Sequence, residues 1–315
     1  MGLTIGVDIG GTKVAAGVVA PTGEVLEQVR VHTPALDTKL VLGSIVEVVR
    51  KLSASHDVEA VGIGAAGWID ATGSTVLFSP NLSWRDEPLR DAVAAAVNLP
   101  VTLDNDGNAA AWAEFVFGAG RAFEDSMAMF TIGTGIGSGV VLRGQLLRGS
   151  HGMGGEPGHM RVVPGGLLCA CGRRGCLEQY ASGSALVRYA RQAASARPET
   201  ARALLELAGG SVDAISGPLV TRAAQAGDAA STAAFEQVGA ALGGALSDIV
   251  HVYDPEVIVL GGGVAEAGAL ILDPTLRAYH ETLSHRGTLP VASLILAELG
   301  NTAGLIGAAD LARRR

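Results

Sequence analysis

Apolar and polar positions change period several times along the chain, and each change marks an element. From Thr4 to Val19 apolar and small residues alternate, the chain turns at Pro21-Thr22-Gly23, and the pattern resumes from Val25 to Val31, which predicts a β-hairpin. Leu40 to Leu52 switches to the spacing of a helical face, and Val58 to Gly64 is a short apolar strand closed by glycines. Leu89 to Val97 reads as helix, Val101 to Leu103 as strand and Asn108 to Phe117 as helix. From about Ala185 to Val250 the chain is Ala-rich and helical, interrupted at Gly209-Gly210 and Gly217-Pro218. Val257 to Leu260 then forms a buried strand ending in Gly261, Gly262 and Gly263, and Gly304 to Leu311 a terminal helix. Strands alternating with helices predict α/β architecture.

One pattern recurs. Thr4-Ile5-Gly6 to Ile9-Gly10 and Thr131-Ile132-Gly133 to Ile136-Gly137 share the frame T-I-G-x-x-I-G, each followed by an apolar strand and a turn containing glycine. A duplication would place one such hairpin at the start of each of two similar domains, with a cleft between the halves.

Composition narrows the class. The 315 residues suffice for two packed domains without disulfide support, and 48% hydrophobic against 17% charged residues excludes disorder. No apolar run reaches the roughly 20 residues that cross a bilayer, and the first residues lack the basic and apolar regions of a signal peptide. A cytoplasmic protein is expected. A net charge of −8 opposes wrapping by nucleic acid or adhesion to anionic lipid.

Gly62-Ile63-Gly64-Ala65-Ala66-Gly67 has the form of a dinucleotide fingerprint, but Trp68 to Gly73 reads as a turn where that motif needs a helix. A Walker A sequence is absent. Asp8-Ile9-Gly10-Gly11-Thr12-Lys13 instead sets a carboxylate, two glycines, a hydroxyl and a cation at a strand-to-strand turn. Such backbone N–H groups wrap phosphate oxygens, and Asp8 suits Mg²⁺ or its waters. Gly133-Thr134-Gly135 offers the same from the second half. Two ordinary hairpins needing positive φ account for either turn equally well.

Asp104-Asn105-Asp106-Gly107-Asn108 lies between a strand and an Ala-rich helix. One helix cap needs one short polar residue, and four are present; the surplus points to a ligand, with Asp106 as a proton acceptor for phosphoryl transfer. His159, Cys169, Cys171 and Cys176 follow the order H-x9-C-x-C-x4-C and use every cysteine of the chain, a donor set suited to a closed structural Zn²⁺ site. Glu156 and Glu178 flank this loop, as acceptors for the vicinal hydroxyls of a sugar.

Together these motifs resemble the ROK family of bacterial sugar kinases. The likeness covers nearly the whole chain, and Glu156-Pro157-Gly158-His159 with Cys169-x-Cys171-Gly172-x-x-Gly175-Cys176-Leu177-Glu178 is its most specific part. It implies the duplicated ribonuclease-H-like fold of actin and hexokinases, two-lobed, with a cleft between the lobes. A small N-terminal lobe over 1–108, with a helix at about 301–315 returning to it, and a large lobe over 109–300 are expected.

The resemblance further implies transfer of phosphate from ATP, with Mg²⁺, to the 6-hydroxyl of glucose. Asp106 would be the general base. Asn105, Glu156, His159 and Glu178 would bind the sugar, His159 also ligating zinc, with Gly67 and Asn81 as further pocket residues. Gly10, Gly11, Thr12, Thr134 and Gly135 would face the phosphates, with Asp8 and Lys13 beside them, and Gly261, Gly262 and Gly263 the nucleoside. The family often has Pro before the pocket glycine, where this chain has Ala66. Kinases for N-acetylmannosamine, N-acetylglucosamine, fructose or allose, polyphosphate as donor, and a non-catalytic sugar-responsive regulator are the alternatives. ROK repressors carry a helix-turn-helix before their first Asp-x-Gly-Gly, for which Asp8 leaves no room. A homodimer or homotetramer is implied.

Overall fold

The computed structural model describes residues 2–10, 13–32, 37–79 and 82–314. Gly11, Thr12 and Asn81, all expected at the site, lie outside the described residues. The chain divides into two compact units, one of residues 1–129, 138–156 and 297–315, the other of residues 130–137 and 157–296.

The first unit is built on a sheet of order β3-β2-β1-β4-β8, from β1 (Leu3–Ile9), β2 (Lys13–Val19), β3 (Val25–His32), β4 (Val58–Ala65) and β8 (Val101–Asn105). The three leading strands are antiparallel, and β4 and β8 run parallel to β1. α1 (Thr38–Ser53) joins β3 to β4, and α2 (Leu89–Val97) precedes β8. Between them lies a small meander of β5 (Trp68–Ile69), β6 (Val76–Phe78) and β7 (Arg85–Glu87). After β8 come α3 (Asp106–Val116), β9 (Met127–Ile132), β10 (Ile136–Leu142) and β11 (Gln145–Leu146), and the unit ends in α10 (Ala303–Arg313).

Period-two alternation in β1 assigns its two faces. Ile5, Val7 and Ile9 enter a core with Val41, Ile45, Val48, Val49 and Leu52 of α1 and with Leu89 and Val93 of α2. The Asp37 carboxylate caps α1 by accepting the N–H groups of Lys39 and Leu40. The opposite face, Thr4, Gly6 and Asp8, meets α10. The Thr4 hydroxyl donates to the Ala309 carbonyl at 3.0 Å. A Cβ on Gly6 would stand 1.8 Å from the Leu305 oxygen, and one on Gly62 of β4 1.8 Å from the Ala308 oxygen. Helix backbone thus lies directly on sheet backbone. Of the glycines in the dinucleotide-like stretch, Gly62 serves this packing, Gly64 faces Ala109 of α3 and Gly67 lies against the Phe78 carbonyl, and β5 with a turn follows Gly67 in place of a helix. Gly62→Ala is expected to cost about 3 kcal/mol, because backbone cannot yield as a side chain does, and to lower Tm by roughly 5–10 °C. A melting curve within about 2 °C of the parent would mean that α10 is not seated there.

In the second unit a stretch with little regular structure leads to α4 (Glu178–Ala181), α5 (Gly183–Ala196), α6 (Arg202–Leu207), α7 (Gly217–Gln225), α8 (Ala229–Tyr253), β12 (Val257–Gly261), α9 (Ala269–Thr282) and β13 (Ser293–Leu296). Gly217-Pro218 opens α7 rather than interrupting a helix, with proline in the first turn, where no N–H partner is needed. β12 is wholly buried and parallel to β13. The second sheet has the order β11-β10-β9-β12-β13. Chain order thus matches the first sheet: three successive strands, then two reached after helices. The shared T-I-G frame is out of register with this likeness. The first turn follows Ile9 and the second follows Ile132, so the architecture aligns Gly10 with Gly133 and sets Thr131 opposite Asp8, not Thr4. Each turn carries a hydrogen bond from its first glycine, Gly10 N–H donating to Lys13 O and Gly133 N–H to Gly135 O, each at 3.0 Å, the second spanning one residue fewer.

Candidate active site

β8 ends where α3 begins, and the polar cluster at that junction is divided by task. The Asn105 side chain is the N-cap, its Oδ1 accepting the Asn108 N–H at 3.0 Å, while its Nδ2 donates to the Gly67 carbonyl at 3.0 Å. Asp104 Oδ1 accepts from the Asn105 N–H at 2.9 Å and Asn108 Nδ2 at 3.0 Å, and its Oδ2 accepts from Arg148 Nε at 2.8 Å. These groups hold one another. Asp106 alone has no side-chain hydrogen-bonding partner among the described residues of its unit; its Oδ1 accepts the adjacent Gly107 N–H at 3.0 Å. Gly107 in turn fits against β10, where a Cβ would come 2.4 Å from the Ser138 oxygen.

Asp8, one residue before the end of β1, lies close enough to Asp106 for their charges to interact. In the parallel register Asp8 lies beside Gly64, and Gly64 beside Asp104, so carboxylates gather at the carboxyl ends of the strands, where open α/β sheets bind ligands. Burial, and next the neighbouring Asp106 charge, push the Asp8 carboxyl up to about 7 against the opposing pull of Lys13. Burial also raises Asp106 above the usual carboxylate range. The folded free chain therefore keeps a proton on Asp8 that the unfolded chain has released between the ordinary 3.8 and about 7, and burial of Asp106 acts in the same direction. Stability from this source is present at low pH and is lost as pH rises through that window. Any chemistry needing both anions has the opposite trend. For Asp8→Asn we expect a Tm that varies less between pH 5 and pH 8 than the parent's; an identical slope would remove the argument.

In the second unit His159, Cys169, Cys171 and Cys176 bring one ligand atom each to within 4.8 Å of one another. Cys171 Sγ and Cys176 Sγ are 3.7 Å apart, as are Cys169 Sγ and His159 Nδ1. A tetrahedral ion with metal–sulfur bonds of about 2.3 Å has edges of about 3.8 Å, whereas a disulfide needs about 2.05 Å. The donor set fits a cation. Burial pushes the Cys169 thiol up to about 12 and raises Cys176 as well, so thiolates here require a positive partner. Glu178 opens α4 beside this cluster. Its Oε2 accepts the Ile136 N–H at 3.1 Å and its Oε1 the Cys169 S–H at 3.3 Å. Gly135 is what admits it, since a Cβ there would stand 2.3 Å from Oε2.

The same unit holds a cavity of about 1340 Å³. Gly133, Thr134, Gly263 and Val264 line it together with Ser184, Val187, Arg188, Arg191 and Ser195 of α5 and with the start of α7. The N–H groups of Gly183 and Ser184 at the start of α5 donate to the Gly133 and Thr134 carbonyls. Of the expected nucleotide residues, Thr134 and Gly263 border this cavity. Gly261 ends β12, and Gly262, at φ +84°, turns against Ile132 backbone. The wall contributed by α5 was missed in the sequence, although its polar positions recur at helical intervals. Glu156, half-buried, follows Gly155 in the first unit, and Lys13 is exposed at the start of β2.

Two sheets of like strand order, each opened by a glycine hairpin, define a protein of the duplicated α/β fold of actin and the hexokinases. A model of the ROK family matches residues 4–315. This chain belongs to the ROK family. It is 47% identical over 313 residues to the glucokinase of Streptomyces coelicolor, covering 99% of this chain and 98% of that one. With the glucokinase of Thermotoga maritima it shares 36% identity over 315 residues, 99% of this chain and 97% of the other. A ROK family glucokinase from Streptomyces griseus, solved in complex with glucose and AMPPNP, superposes with a TM-score of 0.92 at 49% identity over 100% of both chains. No described helix is long and apolar enough to cross a membrane.

Proposed function

We propose that this chain is a glucokinase, which transfers the γ-phosphoryl group of ATP to the 6-hydroxyl of glucose. The observation that carries the reading is the end-to-end likeness to the Streptomyces griseus glucokinase with glucose and AMPPNP. In this reading Asp106 takes the hydroxyl proton. Its position suits the role, as its carboxylate is held only by backbone N–H groups of its own turn and burial shifts its pKa upward, the direction that makes a carboxylate a better proton acceptor. Asn105, Glu156, His159 and Glu178 accept and donate to the sugar hydroxyls, with Gly67 and Asn81 completing the pocket. Phosphoryl transfer depends on alignment and charge neutralisation more than on covalent chemistry. Gly10, Gly11, Thr12, Lys13, Thr134 and Gly135 supply phosphate contacts, and Asp8 holds Mg²⁺ or its waters. Gly261, Gly262 and Gly263 serve the nucleoside.

His159, Cys169, Cys171 and Cys176 hold structural zinc, which when bound supplies the positive charge that keeps the thiols ionised. Four protein ligands leave it no open position for chemistry. A thiolate set of this kind is maintained in a reducing compartment, which supports a cytoplasmic location.

The test is a panel of glucose, N-acetylmannosamine, N-acetylglucosamine, fructose and allose, each with ATP and with polyphosphate, read by coupled assay as kcat/KM. Glucose with ATP is expected to lead. A higher value for N-acetylmannosamine, or no turnover with ATP, would overturn the assignment.

A further inference from the structure

We propose that Arg148 is a positioning residue for the reaction, holding Asp106 in place through Asp104; this rests on the reading of Asp106 as the base. Asp106 has little to orient it except the backbone of its own turn, since among the described residues of its unit its carboxylate accepts only backbone N–H groups, those of Gly107 and of Asp106 itself. That turn is fixed by a relay. Gly67 O receives Asn105 Nδ2, Asn105 Oδ1 receives the Asn108 N–H, and Asn108 Nδ2 donates to Asp104. The relay ends on one charge pair, Arg148 Nε and Nη2 both donating to Asp104 Oδ2 at 2.8 and 2.5 Å.

The pair is built for rigidity. Asp104 is 12% exposed and accepts four hydrogen bonds, so its carboxylate cannot turn without abandoning several. Arg148 is anchored as well. It follows β11 in a segment that folds back on β10, with Leu147 N–H on Val140 O at 2.8 Å, Gly154 N–H on Arg148 O at 2.8 Å and the Ser138 hydroxyl on Gly155 O at 3.1 Å. Glu156 comes next in the chain, so one ion pair ties the start of α3 to the segment that carries a proposed sugar ligand. A guanidinium suits this place because it offers two donors to one carboxylate in fixed geometry, which an ammonium cannot.

Charge adds to geometry. Asp104 lies two residues from Asp106, which also faces Asp8 on β1, itself countered by Lys13 on β2. Without Arg148 the Asp104 anion stands uncompensated, and a neighbouring like charge makes Asp106 harder to ionise.

The experiment compares Arg148→Met, Asp104→Asn, the double variant and Asp106→Asn by steady-state kinetics over pH and by melting curves. Arg148→Met is expected to lower kcat by about 10- to 100-fold, as small misplacements of a reacting group do, with KM for ATP within about twofold and the acid limb of kcat moved to higher pH. In the Asp104→Asn background the same change should cost much less and leave the acid limb in place, because the charge to be compensated is gone. Arg148 also borders a cavity of about 430 Å³ in this unit, so added guanidinium ion should restore part of the kcat of Arg148→Ala. A role in folding alone would lower Tm without moving the pH profile. The proposal fails if Arg148→Met keeps its parent's kcat and pH profile, or if its loss multiplies undiminished with that of Asp104→Asn. Should Arg148→Met not fold, the guanidinium response of Arg148→Ala in an Asp104→Asn background decides, rescue there counting against the proposal. Full turnover in Asp106→Asn would instead remove the base assignment itself, whereas an inactive Asp106→Asn beside an unaffected Arg148→Met would remove only this inference.

Discussion

Replacing Asp106 with Asn is expected to reduce kcat by roughly 10²- to 10⁴-fold while glucose still binds within a few-fold of its parent affinity. The amide keeps the shape of the carboxylate, and its oxygen still accepts the Gly107 N–H. Only the capacity to take a proton is removed. In activation free energy the loss is about 3–5 kcal/mol, too large to arise from a displaced hydrogen bond at a half-buried position. Stability should move the other way. Burial opposes the charge on Asp106, so a neutral side chain there is expected to leave Tm unchanged or slightly raised at pH 8. A variant with near-normal turnover would exclude the base assignment. One that lost glucose binding and Tm together would show that Asp106 supports the turn rather than the chemistry.

The polar run that pointed to Asp106 was legible for a reason that the structure refines. Four short polar residues exceed what one cap requires, but the excess is not all ligand-directed. Asn105 caps α3, while Asp104 and Asn108 are bound into the network with Arg148. Arg148 lies 44 positions from Asp104, and no local pattern announces such a pair. The metal donors were readable because all four fall within one short loop, where spacing alone constrains geometry. The duplication was readable in its architecture and misplaced in its register, since Gly-rich hairpins match one another at several offsets. Strands β5 to β7 have only two or three residues each, too few for a period to show. The α5 wall of the large cavity stayed hidden because a polar stripe on a helix reads equally as a solvated face.

Disrupting the metal cluster is expected to have the second large effect. The segment from Pro157 to Glu178 contains one short turn of helix at Pro157–His159 and two isolated bridges, Arg161 with Cys176 and Leu168 with Arg174. Leu167 and Leu168 are exposed, and apolar burial holds the segment mainly at its ends, at Pro157 and Leu177. Cross-linking by an ion does what a core does elsewhere. Cys176→Ser replaces a fully buried donor with a poor ligand. We expect the parent to carry zinc near one equivalent per chain and Cys176→Ser to lose it, with a cost above about 4 kcal/mol and a Tm lower by roughly 10 °C. Glucose affinity should fall with it, because Glu178 is set by the same loop. Its Oε1 lies 3.3 Å from Cys169 Sγ, within reach of a thiol proton. A Cys169 thiolate has no proton to give, which frees that oxygen for a sugar hydroxyl. Metal analysis, melting curves and glucose titration on one preparation test the chain of reasoning at three points. If the parent contains no zinc, or if Cys176→Ser loses zinc yet binds glucose as before, the metal does not govern Glu178.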